Sequence, residues 1–103
     1  MREAKIFVNG SFAGKLQELE RGKKYRFVYE KGYDGPSVSL TMPIEQSVYE
    51  FDRFPPFFEG LLPEGMMLAG LLKQTKIDRD DLFSQLIAVG GDLVGNVTVE
   101  IVP

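Results

Sequence analysis

A chain of 103 residues, 44% hydrophobic and 26% charged, has the balance of a folded protein with one core, which excludes a disordered chain and leaves no apolar run as long as a membrane span. Its net charge of −3 and its single basic cluster, Arg21, Lys23, Lys24 and Arg26, set aside a nucleic-acid reader, which needs a concentrated basic face. With neither Cys nor His, it lacks disulfides, a thiolate nucleophile, the commonest general base and the commonest zinc ligand, so any hydrolytic chemistry would fall to carboxylates, Lys or Tyr.

Met1 to Lys5 leads into a strand pattern with no apolar signal core, and a cytoplasmic protein of one domain, residues 1–103, is expected. Ala4, Ile6 and Val8 alternate with Lys5 and Phe7 up to Asn9-Gly10. Asn-Gly after alternating residues predicts a β-hairpin, because both central positions of a type I′ turn need φ > 0. Residues 11–16 are the returning strand, with Phe12 and Leu16 on its buried side, and 17–22 read as a polar turn. The basic cluster follows on this turn and the next strand, and reads as a charged hairpin edge that resists pairing with other chains. Residues 24–29 alternate again and place Tyr25, Phe27 and Tyr29 on one face. Gly and Pro make 30–36 a loop, 37–42 is a β-rich stretch ended by Pro43, and 44–53 is irregular, with Tyr49 and Phe51 draped over the sheet.

Residues 54–67 divide the chain, because strands precede them and helices follow. Three Phe, three Pro, two Gly and two Met in fourteen residues make the run too apolar for a surface loop and too broken for one helix. Pro56 suits a helix first turn and predicts a short helix over 57–61, stopped by Pro63. A second helix starts at Glu64, with Met67, Leu68, Leu71 and Leu72 at the spacing of a buried face. A third has Asp78 as candidate N-cap, Asp80 and Asp81 at its positive end, and an apolar stripe of Leu82, Phe83, Leu86 and Ile87. Gly90-Gly91 stops it, and 94–102 form a last strand with Val97, Val99 and Ile101 on one side. The sum is an α+β fold: a mostly antiparallel sheet of about five strands with two or three helices on one side and the chain ends adjacent.

Few motifs carry chemistry. Gly90-Gly91-Asp92-Leu93-Val94-Gly95 fits neither phosphate-loop spacing and follows a helix, so it reads as a helix stop. Asp78, Asp80 and Asp81 lack the Gly and distal Glu of a calcium loop and read as capping acids. Glu59 and Glu64 form a carboxylate pair with no base, nucleophile or metal ligand to work with. No catalytic role, metal or cofactor is expected. Met66 and Met67 beside the Pro63-Glu64-Gly65 turn are a different matter: one can pack inward while an exposed one offers the flexible apolar contact used at binding surfaces.

Three stretches, in order, carry a resemblance: Ser37-Val38-Ser39-Leu40-Thr41-Met42-Pro43; Phe57-Phe58-Glu59-Gly60-Leu61-Leu62-Pro63-Glu64-Gly65; and Asp81-Leu82-Phe83 through Gly90-Gly91-Asp92-Leu93-Val94-Gly95-Asn96-Val97-Thr98-Val99. With the opening hairpin, the chain resembles the N-terminal subdomain of HipA-type serine/threonine kinases, whose usual forms are close to S-L-S-L-P, F-F-x-x-L-L-P-(D/E)-G and G-R-D-x-x-G-A-V-T. Gly91 stands where Arg is usual and Asn96 where Ala is usual. A HipA kinase continues into a body carrying ATP, Mg²⁺ and the catalytic Asp. The chain therefore resembles the stand-alone HipS-type protein of tripartite HipBST toxin–antitoxin systems, in which the kinase HipT is separate and HipB is a helix-turn-helix DNA-binding protein.

The resemblance implies an antitoxin that docks on a HipT-like kinase and restrains it, contacting neither nucleic acid nor membrane. Leu62, Pro63, Glu64, Gly65, Met66 and Met67, helped by the loop from Asp92 to Asn96, are the surface expected to face the kinase, because Pro63-Glu64-Gly65 turns outward beside two Met. The alternative is a scaffold that bridges the kinase and a HipB-like partner without itself neutralising toxicity.

Overall fold

At Asn9 and Gly10 the backbone takes φ of 51° and 81°, and the turn they form closes the first hairpin as the sequence predicts. The structure, a computed structural model, describes residues 1–93 and 95–102. The hairpin joins β1 (Arg2–Val8) to β2 (Ser11–Glu20), which runs past the expected turn at residue 17 and reverses only at 21–23 into β3 (Lys24–Tyr29). After β4 (Val48–Phe51) come α1 (Pro56–Glu59), α2 (Gly65–Thr75), α3 (Leu82–Val89) and β5 (Val97–Ile101). The strands form one sheet in the order β4-β3-β2-β1-β5 with every pair antiparallel. The chain ends are neighbours: Ala4 pairs with Ile101, and the Val102 amide donates to the Glu3 carbonyl at 3.1 Å.

One face of the sheet is the core face. Ala4, Ile6, Val8, Leu16, Tyr25, Phe27, Tyr29, Val97 and Val99 are buried there beneath Phe58 of α1 and Phe83 and Leu86 of α3. Each fully buried aromatic or aliphatic chain contributes about 1.5–3 kcal/mol. Phe27 meets the Tyr29 ring edge-on at 4.8 Å and Tyr25 meets Phe54 at 5.3 Å, geometries that add to the burial. Phe58 is the anchor of the apolar run 54–67, with Phe57 and Leu61 half-buried beside it.

Five expectations are corrected. Phe12 is not on the buried side: a bulge pairs Ile6 with Gly14 and Phe7 with Phe12, so Ala13 takes the core position and Phe12 turns to Phe7 on the outer face. Residues 37–42 are not a strand, and among the described residues their only ladder contact is an isolated bridge between Ser39 and Met42. Side chains satisfy this backbone instead: the Val38 amide donates to the Tyr29 hydroxyl at 2.9 Å, the Ile44 amide to Ser37 Oγ at 2.9 Å and the Thr41 amide to Ser39 Oγ at 3.2 Å. The place beside β3 goes to β4, which sequence periodicity leaves as loop. The N-cap of α3 is Asp81 and not Asp78, because the Asp81 carboxylate accepts from the Ser84 amide. The last strand begins at Val97, with Val97 and Val99 buried and Ile101 exposed at its end; Val94, its expected start, lies outside the described residues.

Candidate functional site

The sequence places a helix after Pro63, and α2 forms there, but the face expected of Met67, Leu68, Leu71 and Leu72 is not fully buried: the three leucines are half-buried and Met67 is exposed. No residue of α2 is buried, and none packs against the core. Met66 is 92% exposed and Met67 76%, so both methionines point away where one was expected to pack inward. The helix opens on Glu64 in extended conformation without a side-chain cap, and Leu68 N–H reaches the Glu64 carbonyl at 3.3 Å. Left-handed Lys76, whose amide donates to the Leu72 carbonyl at 2.8 Å, closes it. From Gly60 to Leu72 the only charged residue is Glu64. Isolated helices shorter than about 12–15 residues are marginal in water, and this apolar helix of eleven residues has only the half-burial of Leu68, Leu71 and Leu72 to support it.

The other predicted residues fall around this helix unevenly. Leu62 and Pro63 are half-buried, Leu62 against the core edge, while Glu64 and Gly65 are exposed. Asp92 and Asn96 are also exposed, on the connection from α3 to β5. The Asn96 carbonyl accepts from the Asn9 amide at 2.8 Å, which ties that loop to the first hairpin. Among the described residues no hydrogen bond or ion pair joins Asp92 or Asn96 to residues 62–67.

The charged cluster that sequence reasoning missed lies at the other end of α3. Glu18, only 4% exposed, accepts from Arg2 Nε at 2.7 Å, the Tyr25 hydroxyl at 2.9 Å and the Gly22 amide at 3.2 Å. Arg2 Nη2 also meets Asp81 Oδ1 at 3.0 Å, and Asp81 Oδ2 accepts from the Ser84 hydroxyl at 2.7 Å. Burial works to raise the Asp81 carboxyl, but Arg2 and Ser84 outweigh it and hold it down at about 2. For Glu18, burial is again overcome by the donors Arg2, Tyr25 and Gly22, and the carboxyl sits below its ordinary value. Burial and the bond to Glu18 together push the Tyr25 phenol up to about 12. Periodicity carried a signal for part of this: Arg2 is in phase with Ala4, Ile6 and Val8, and Glu18 with Leu16, so both charges stand at core-facing strand positions.

These groups line a cleft of about 380 Å³. Every carboxylate oxygen of Glu18 and Asp81 is already engaged, and no cluster of three or more potential metal ligands occurs among the described residues. The cluster is a clasp between β1, β2 and α3. Helix α2 presents an apolar surface that the core does not use.

Comparison with known proteins gives matches across nearly the whole chain. Residues 4–100 match the family described as HipA N-terminal domain. An uncharacterized protein of Haemophilus influenzae is 36% identical over 100 residues, which span 97% of this chain and 92% of that protein. A solved N-terminal domain of HipA toxin is similar in structure, with a TM-score of 0.78 and 34% identity, over all of this chain and 94% of that one.

Proposed function

Because the chain belongs to the HipA N-terminal domain family, we propose that it is a HipS-like, non-catalytic antitoxin subunit that docks on a separate HipT-like serine/threonine kinase and inhibits it. The observation that carries this reading is α2, an apolar helix with no buried residue that exposes Met66 and Met67. The similar solved structure is the N-terminal domain of a HipA toxin, and such a domain has the rest of a toxin to rest against. A surface inherited from that arrangement would fit the same body supplied as a second chain. The Haemophilus relative supports the separate-chain form, since the shared domain makes up nearly all of it.

In this reading Leu62 to Met67 and α2 form the main contact, and Asp92 and Asn96 form a smaller polar one on the same kinase. Met side chains adapt to a partner's groove at little packing cost, and the Pro-set turn before α2 limits the entropy lost on docking. The complex is placed in the cytoplasm, with any DNA contact left to a HipB-like helix-turn-helix protein. Co-expression tests the reading: cells carrying the HipT-like kinase should grow when this chain is present and stop when it is omitted. If the kinase stays toxic beside this chain and is silenced only by the DNA-binding partner, the chain is a scaffold and not the antitoxin.

A further inference from the structure

The loop that replaces the expected strand at residues 37–42 is built as a rigid projection. Its ends are fixed in the core by Val38 and Met42, which are 6% and 1% exposed. Three tyrosines grip its backbone: Tyr33 donates to the Pro36 carbonyl at 2.6 Å, Tyr49 to the Pro43 carbonyl at 2.5 Å, and Tyr29 to the Met42 carbonyl while accepting from the Val38 amide. Tyr29 and Tyr33 are stacked at 6.0 Å, so two of the anchors brace each other. Between the fixed ends the Met42 amide donates to the Ser39 carbonyl at 3.1 Å, closing a turn with Leu40 and Thr41 at its corner. Leu40 is 99% exposed. It borders an open concavity whose lining also includes Phe57 of α1, and no charged residue occurs from Pro36 to Ile44.

A single exposed leucine is ordinary. One held outward by three buried or half-buried phenols, at the corner of a closed turn on an uncharged rim, is presented. We propose that Leu40 and the concavity it shares with Phe57 form a second contact for the same HipT-like kinase that receives α2. The inference rests on the function proposed above.

Area argues for that occupant. A stable protein interface takes about 800 Å² from each partner. The outward half of an eleven-residue helix, about 16 Å long and about 5–6 Å in radius, offers roughly 300 Å². Helix α2 cannot make the complex alone, the contact at Asp92 and Asn96 is small and polar, and a further apolar contact is best supplied by surface that is exposed, uncharged and already ordered. Leu40 is the most exposed of the large apolar side chains among the described residues. A loop fixed before the encounter loses little entropy on docking, which is the gain the three phenols supply.

The test measures affinity between the purified full chain and the purified HipT-like kinase of the same genome, using wild type, Leu40→Asp, Tyr49→Phe and the double variant Met66→Asp/Met67→Asp. Leu40 touches nothing that holds the fold, so Leu40→Asp should melt with wild type and bind at least about tenfold more weakly, as loss of an interface anchor does. Tyr49→Phe should bind a few-fold more weakly while amides 38–44 exchange faster, since it loosens the loop and leaves Leu40 in place. If Leu40→Asp binds like wild type while the Met66/Met67 variant does not, the second contact is wrong and the antitoxin reading stands. If wild type fails to bind the kinase, that reading falls and this inference falls with it. If Leu40→Asp instead abolishes self-association of the isolated chain and leaves kinase affinity unchanged, the face belongs to a second copy and the proposal is overturned.

Discussion

Arg2 and Asp81 stand 79 positions apart in sequence and join at 3.0 Å in space, fastening the first strand of the sheet to the N-terminus of α3. Arg2 also caps the Phe83 ring, its guanidinium carbon 4.9 Å from the ring centroid, and holds the buried carboxylate of Glu18. One side chain therefore neutralises two carboxylates and covers a core aromatic. Replacing it with Met leaves Glu18 charged and buried without its cation, and should cost about 2–4 kcal/mol in urea denaturation. Adding Glu18→Gln to Arg2→Met removes the orphaned charge, so the double variant should be more stable than Arg2→Met alone. A single variant within 0.5 kcal/mol of wild type, taking about that as the size of a neutral surface change, would show that the clasp carries little.

The same groups set the pH dependence. Asp81 is held at about 2 against an ordinary 3.8, and Glu18 is also held low. A carboxyl with a depressed folded-state value stabilises the fold above its unfolded value and loses that contribution as pH falls through the folded one. Stability should be flat above about pH 5 and drop by about 2 kcal/mol on account of Asp81 as pH approaches 2. Asp81→Asn should remove most of that slope. Tyr25 has the opposite sign, because its phenol is raised to about 12 from 10. Its contribution is present below pH 10 and lost as pH rises through 12, so Tyr25→Phe should flatten the alkaline limb.

Gly90 shows how closely α3 is seated. A Cβ there would lie 2.2 Å from the Val99 carbonyl oxygen, a backbone atom that cannot swing aside, while the Gly90 carbonyl accepts from the Val99 amide at 3.0 Å. Gly90→Ala must push α3 off β5 and should cost about 2–3 kcal/mol. For a domain of this size that lowers Tm by roughly 10–20 °C in thermal denaturation.

Gly70 makes the reverse prediction. It lies inside α2, and an added Cβ meets nothing within 4 Å. Gly70→Ala should strengthen α2 by about 1 kcal/mol. Because α2 does not pack on the core, the gain should appear as slower hydrogen exchange in residues 65–75 with Tm almost unchanged. A matching rise in Tm would mean that α2 unfolds together with the sheet.

Much of this fold is legible in sequence where one local rule acts alone. The Asn9-Gly10 turn, the Tyr25-Phe27-Tyr29 face, Pro56 at the first turn of α1 and the Phe83-Leu86 stripe each follow from backbone preference or periodicity, and each is present. Departures occur where partners distant in sequence decide. Residues 37–42 have strand-forming side chains, but the phenol of Tyr29 and the hydroxyls of Ser37 and Ser39 take the amides that a ladder would use. Asp81 displaces Asp78 as the cap of α3 because Arg2 and Ser84 are there to meet it. The stripe on α2 has helical spacing, yet Leu68, Leu71 and Leu72 are only half-buried and do not join the core, and no periodicity distinguishes a fully covered face from a half-covered one. Glu64 and Gly65 are exposed as the Pro and Gly there lead one to expect, but the exposure of both Met66 and Met67 is not legible in the sequence.

The central claim, that this surface restrains a kinase, is tested most directly by titrating purified chain into a purified HipT-like kinase and following phosphate transfer from ATP. Wild type should bring activity to background at a saturating ratio. Met66→Asp/Met67→Asp should leave the kinase active at the same ratio while melting like wild type, since both side chains are already in solvent. Full inhibition by the double variant would contradict the assignment to α2, and a kinase left active by wild type would contradict the account itself.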